Sequence, residues 1–122
     1  GPTARAWSEQ CEGLDFPVHE FEAGNQFSIG EIQVSPFQVS HDAVDPVMFR
    51  LSSRDRSLGV LTDLGQVTEL VREKISGVDA LVLETNHDPY LLQESSYPWE
   101  VKQRIKGRSG HLSNEQASTL VK

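Results

Sequence analysis

An α/β fold is the class this sequence predicts, and three observations predict it. Leu58–Thr62 is a short apolar run that stops at Asp63 and Gly65, within LGVLTDLG. Val67, Leu70, Val71 and Ile75 then recur at helical spacing, and Gly77 marks a C-terminal stop. Val78–Leu83 (VDALVL) is a second, near-continuous apolar run, the pattern of a strand buried on both faces. In α/β folds chemistry gathers at the carboxyl ends of such strands. Asp63 is therefore the residue on which His41, Glu84, His87 and His111 are expected to converge, since each lies at or just past another strand-like or helix-like segment.

The remaining elements follow in order. Residues 3–12 suit a short helix with Ala6, Trp7 and Leu14 as apolar anchors, and Pro17 is a firm stop. Val18–Glu22 alternates crudely, as a strand would, which makes His19 a structural residue. Ala23–Asn25 reads as a turn. Phe27–Ile29 and Glu31–Ser40 are strand-like, joined at Gly30. Alternating Ile32, Val34, Phe37 and Val39 give the second run one buried face, and Pro36 within it suggests an edge or a bulge. That run leads into His41 and the polar loop HDAVDP. Val47–Leu51, a charged turn at Ser52–Arg56, and Leu58–Thr62 read as an antiparallel pair. Asp88–Leu92 suggests a helical turn. Pro98 opens a helix with Val101 and Ile105 inward, and Gly107 to Gly110 break it. Ser113 caps a last helix with Gln116 as its capping-box partner, and the helical pattern runs to Lys122, which suggests a chain that continues.

Composition narrows the function classes. The chain has 122 residues, room for one small domain, and a formal net charge of −7, which opposes nucleic-acid binding through overall charge but not through a local patch. The lone Cys11 rules out an intrachain disulfide framework and a thiolate zinc cage, and fits a reducing, cytoplasmic setting. No apolar run approaches the roughly 20 residues of a membrane span.

Several side chains are candidates for chemistry. His41 stands between a strand and an acidic loop, where Asp42 and Asp45 can orient its second nitrogen for metal ligation; an exposed loop histidine is the equal alternative. Asp63 is either a metal ligand or the cap of the helix beginning near Val67. Glu84 ends an apolar strand and so implies a partner. Lys102, Arg104, Lys106 and Arg108 form a local basic patch beside Tyr97 and Trp99. It suits phosphate contacts with base stacking, or else a solvated helix face with its rings packed inward.

The order of the motifs SHDAVDP, LGVLTDLG, LETNHD, YPWEVKQRI and GHLSNEQA, from about Phe21 to Lys122, resembles the metallo-β-lactamase-fold hydrolases. The likeness is to the WalJ/YycJ-like branch, related to ribonuclease Z and the β-CASP nucleases. The resemblance implies an α/β fold (α+β in some schemes), a partial αββα sandwich with a mixed sheet flanked by helices. It implies His41 as a zinc ligand, Asp63 as a carboxylate bridging two metal ions, and Glu84 with His111 as an acid–histidine pair that protonates a leaving oxygen. His87, in the NHD signature, is implied to support the pocket. Zinc is the implied cofactor, with manganese an alternative, and nucleic acid the implied substrate.

The family's HxHxDH motif and a final ligand histidine have no counterpart in these residues. Residues 1–122 are thus expected to be a single partial domain, the middle to C-terminal portion of the fold. Such a portion is expected to be inactive or weakly active alone, and to self-associate or pair with a complementing N-terminal half through an uncovered sheet face. Met48 replaces a small glycine of the branch, and is expected to narrow the pocket or fill a gap. Two other functions stay open at this stage: a hydrolase of a small ester, lactam or thioester, and a non-catalytic binding module for nucleic acid or a partner.

Overall fold

The computed structural model describes residues 19–122, so the expected helix at 3–12 and Cys11 lie outside the described residues. Strands β1 (Phe27–Ile29), β2 (Ile32–Gln38), β3 (Val47–Ser53), β4 (Arg56–Leu61) and β5 (Ala80–Leu83) form one sheet in sequential order. The first four are antiparallel, and β5 runs parallel to β4. Helix α1 (Glu69–Ile75) makes the crossover that a parallel pair requires. Helices α2 (Pro89–Glu94), α3 (Trp99–Lys106) and α4 (Asn114–Leu120) follow. The expected mixed sheet with flanking helices is therefore present.

Strand alternation sets the packing. Phe37 and Met48 are partners across β2 and β3, and they join Leu61, Leu64, Val71 and Leu112 in the core. Ile75, Leu81 and Leu83 pack against that cluster. Burying Val71 completely contributes on the order of 1.5–3 kcal/mol. From β3, Arg50 Nη1 donates to the Lys74 and Ser76 carbonyls at 3.1 and 3.2 Å, satisfying the C-terminal end of α1 with a cation. Asp79, just before β5, accepts the Ser57 N–H at 2.7 Å, the Ser57 hydroxyl at 3.1 Å and Arg56 Nη1 at 3.1 Å. Those bonds, led by the Ser57 N–H, hold its carboxyl below the usual carboxylate range.

The opposite face of the sheet is only partly covered. Phe21, Phe27 and Phe49 cluster at one end. Leu51, Leu58 and Val60 are half-buried, while Ile32, Ala80 and Val82 are exposed. The sequence reading of β5 as buried on both faces is thus corrected: Val82 is 48% exposed, because no described element covers that side.

Other expectations are refined. Residues 19–22 form no strand, so His19 is an exposed residue in irregular chain. Pro36 sits in an interior strand, but β1 pairs only as far as Val34, and Pro36 turns its carbonyl to Gly24 N at 2.9 Å. The proline therefore occupies a local edge where no sheet partner needs its missing N–H. Met48 is buried in the core with its Sδ 3.4 Å from Thr62 N, behind the Asp63 turn. Helix α3 buries no residue, and Val101 is exposed, not inward. Helix α4 ends at Leu120, short of the predicted run to Lys122, and its capping box forms as expected: Ser113 Oγ accepts Gln116 N at 3.2 Å, and Gln116 Oε1 accepts Ser113 N at 2.8 Å. No helix among the described residues is long and apolar enough to cross a membrane.

Candidate metal and proton-transfer site

The site forms where the ends of β2, β4 and β5 meet the loop between α3 and α4. Residues 39–41 follow β2, Asp63 lies in the turn after β4, and Glu84 directly follows β5. The 107–110 loop delivers His111 to the same place. Gly65 N donates to Ser40 O at 2.7 Å, Ser40 Oγ to Arg108 O at 2.7 Å, and Asp42 N to Ser109 O at 2.7 Å. Three chain segments distant in sequence are thus tied by backbone.

Two glycines make that closeness attainable. A Cβ at Gly65 would lie 2.3 Å from Arg108 O, and one at Gly110 would lie 2.2 Å from Ile105 O. Both contacts are with backbone, which cannot swing aside as a side chain can.

His41, Asp63 and His111 converge, each offering one donor atom, with all three atoms within 4.8 Å of one another. The two imidazoles sit edge to face with centroids 5.0 Å apart. His41 Nδ1 lies 3.0 Å from Gly110 O, and His111 Nδ1 lies 2.8 Å from Glu84 Oε2. A carbonyl can only accept, and an ionised carboxylate likewise, so both rings carry their proton on Nδ1 when neutral and leave Nε2 free. Metal-binding histidines are oriented this way. The His41 imidazole and the Asp63 carboxylate suit zinc and leave coordination positions open, while His111 brings a ring nitrogen to the same space. The donor set therefore fits the metal implied by the sequence pattern.

Glu84 is the best-satisfied carboxylate of the site. Its side chain is 6% exposed, and Oε1 accepts Leu64 N and Leu112 N, both at 2.9 Å. One buried acid thereby fixes the Asp63 turn, the His111 backbone and the His111 ring at once. The partner that its position at a strand end demanded is His111, with two backbone donors in addition.

The other predicted residues are placed differently. Asp63 does not cap α1; Thr68 does, its hydroxyl accepting Val71 N at 3.3 Å. Asp42 and Asp45 do not orient His41, a task taken by the Gly110 carbonyl. Asp42 instead pairs with Arg104 Nε at 2.7 Å, and Asp45 lies in the loop turn with a φ of 55°. His87 is outside the three-residue cluster. Its carbonyl accepts Asn114 N at 2.9 Å while Asn86 N donates to Leu112 O, so the NHD segment is stitched to the segment carrying His111. His87 Nδ1 is buried without a hydrogen-bond partner. Desolvation, then the charges of His111 and Lys106, hold its pKa below the ordinary histidine value, opposed by Glu84 and Asp88. Asp88 caps α2, accepting Tyr90 N and Leu91 N.

Within the basic patch, Lys102 and Lys106 donate to Gln93 O and Oε1, each at 2.7 Å, and Arg108 Nε donates to Gln66 Oε1 at 2.8 Å. Sequence reasoning missed Ser40 and the Gly65–Gly110 approach. The only signal for the latter was a glycine at the end of LGVLTDLG and another at the start of GHLSNEQA.

Comparison with known proteins fits this geometry. Residues 3–122 match the family model described as beta-lactamase superfamily domain. The exodeoxyribonuclease YycJ of Bacillus anthracis is 39% identical over 101 residues, covering 83% of this chain and 38% of that protein. The exodeoxyribonuclease WalJ of Streptococcus pneumoniae serotype 2 (strain D39 / NCTC 7466) is 41% identical over 103 residues, covering 84% and 38%. The chain thus spans about 38% of the length of the curated relatives it matches. In fold it is similar to the crystal structure of Zn(2+)-bound PqqB from Methylobacterium extorquens, with a TM-score of 0.53 and 18% identity over 74% of this chain and 33% of that one. That likeness identifies the architecture as part of a metallo-β-lactamase fold. The chain belongs to the beta-lactamase superfamily domain family.

Proposed function

We propose that this chain is the segment of a metal-dependent hydrolase that carries part of the metal site and the proton-transfer pair for cleaving DNA phosphodiesters. The observation that carries the reading is the His111–Glu84 pair, 2.8 Å apart, beside the His41 and Asp63 donors. The relatives named as exodeoxyribonucleases supply the substrate class.

His41 and Asp63 would hold the metal, zinc or alternatively manganese, which would supply Lewis-acid polarisation and an activated water. His111 handles the proton. Glu84 holds its Nδ1–H, so the imidazolium donates from Nε2 to the departing oxygen. Because Glu84 is itself pinned by two backbone N–H groups, the ring is oriented before substrate arrives. Lys106 and Arg108, and Arg104 and Lys102 behind them, contact phosphates, while His87 and Asp42 support the loops.

Extending the chain to the length of its relatives and comparing a phosphodiester reporter with a β-lactam reporter tests the reading. Phosphodiester turnover lost in Asp63→Ala and His111→Ala is expected. Turnover of the lactam alone, or phosphodiester turnover indifferent to both substitutions, refutes it.

A further inference from the structure

We propose that the surface shared by α2 and α3 is a landing platform for single-stranded DNA, stacking bases on Tyr97, Trp99 and Tyr90 about two nucleotides beyond Arg104. This deepens the phosphodiesterase reading and rests on it for the choice of nucleic acid.

The rings face out. Tyr90 is 72%, Tyr97 56% and Trp99 69% exposed, which overturns the inward-packed alternative for this patch. Large aromatic rings in water are unfavourable unless a partner uses them. They share one surface. Trp99, Lys102 and Lys106 recur at i, i+3 and i+7 on α3, and Tyr90 and Gln93 at i and i+3 on α2. Gln93 accepts from both lysines, through its carbonyl and its side chain, so the two faces abut.

The charge is complementary. Among the described residues, neither Lys102 nor Lys106 is paired with a carboxylate, whereas Arg104 is neutralised by Asp42. In a chain of net charge −7 this is a local positive strip lying beside aromatic rings, the pairing that single-strand binders use. A duplex hides its base faces, so exposed rings gain little from it.

The reach is set by the helix. The eight residues of α3 span about 12 Å. Trp99 lies five residues, about 7.5 Å along the helix, from Arg104, whose partner Asp42 adjoins His41. At ~3.4 Å per stacked nucleotide, that distance is about two nucleotides. Strands shorter than this reach the site without touching Trp99.

The test is fluorescence anisotropy of a labelled oligothymidylate with the 122-residue chain, in chelator so that no metal chemistry intervenes. The wild type is expected to bind, with a salt-sensitive affinity. Trp99→Ala and Tyr97→Ala each weaken binding roughly ten-fold, Trp99→Phe keeps most of it, and Lys106→Gln lowers the salt slope by about 0.7. A mononucleotide shows no difference between wild type and Trp99→Ala. Since binding is read without metal, failure here leaves hydrolysis by the extended protein as an independent result. The proposal is overturned if the wild type does not bind, if Trp99→Ala and Tyr97→Ala bind as tightly as wild type, or if duplex is bound equally well. It is also overturned if light scattering shows that Trp99→Ala converts a dimer into a monomer, which would make the patch an interface between copies.

Discussion

Replacing Glu84 separates its structural work from its chemical work. Oε1 takes two N–H groups, from Leu64 and Leu112, which belong to fully buried residues. Glu84→Ala strands both donors. At about 1–3 kcal/mol for each unsatisfied group, the loss is roughly 2–6 kcal/mol before the cavity is counted. That is a large part of the ~5–15 kcal/mol that stabilises a typical domain. Glu84→Gln differs: its amide oxygen keeps both N–H donors, and only the charge-assisted bond to His111 weakens, at about 1 kcal/mol or roughly 4 °C in melting temperature. The amide NH2 now faces His111 Nδ1, which must accept, so the ring proton moves to Nε2. A nearly intact fold with an inverted His111 tautomer is the expected result. Denaturant melts of the metal-free chain and nitrogen NMR of the imidazoles read the two effects apart. If Glu84→Gln is as unstable as Glu84→Ala, or if His111 keeps its proton on Nδ1 in the amide variant, the orienting role assigned to Glu84 is wrong.

Three further outcomes follow from other parts of the fold. Gly110→Ala forces a Cβ to 2.2 Å from Ile105 O and should cost about 3 kcal/mol or more. Gly59→Ala meets the mobile Leu81 Cδ1 at 2.8 Å and should cost about 1 kcal/mol; equal denaturant midpoints would refute the tight loop junction. His87 has a folded pKa below its unfolded value of 6.5, so the unfolded state binds the proton first. Its contribution to stability is therefore full above about pH 6.5 and is lost as the pH falls through the folded pKa. The metal-free chain should melt progressively lower below about pH 6.5, and His87→Gln should flatten that dependence. Finally, exposed Ile32 and Val82 and half-buried Val60 leave an apolar sheet face, which should drive self-association that Val82→Lys reduces; a wild-type monomer by light scattering at high concentration would count against it.

The parts of this fold that were legible in the sequence are those decided within a few residues. LGVLTDLG declares its strand and its stop, Gly30 its turn, and Ser113 with Gln116 its helix start, because each signal and its response are local. Asp63 was ambiguous because the same carboxylate serves a cap and a ligand equally well, and the placement of Thr68 removes only the cap. The Gly110 carbonyl that orients His41 comes from 69 residues away, and no spacing rule reaches that far. The same holds for the backbone contact at Gly65 and Gly110. β5 misled because an apolar run reports what a strand is able to bury, not what covers it. Trp99 misled for the converse reason: an aromatic on a helix was weighed as core, and the fold puts it outside.

Zinc uptake by the purified 122-residue chain, measured by elemental analysis after equilibrium dialysis, tests the central claim most directly. With His111 given to proton transfer, His41 and Asp63 supply two donors, too few to fix two ions. The expected result is at most one zinc per chain, with affinity falling roughly ten-fold or more in His41→Ala and in Asp63→Ala. Two tightly held ions per chain, or uptake unchanged by both substitutions, would contradict the account.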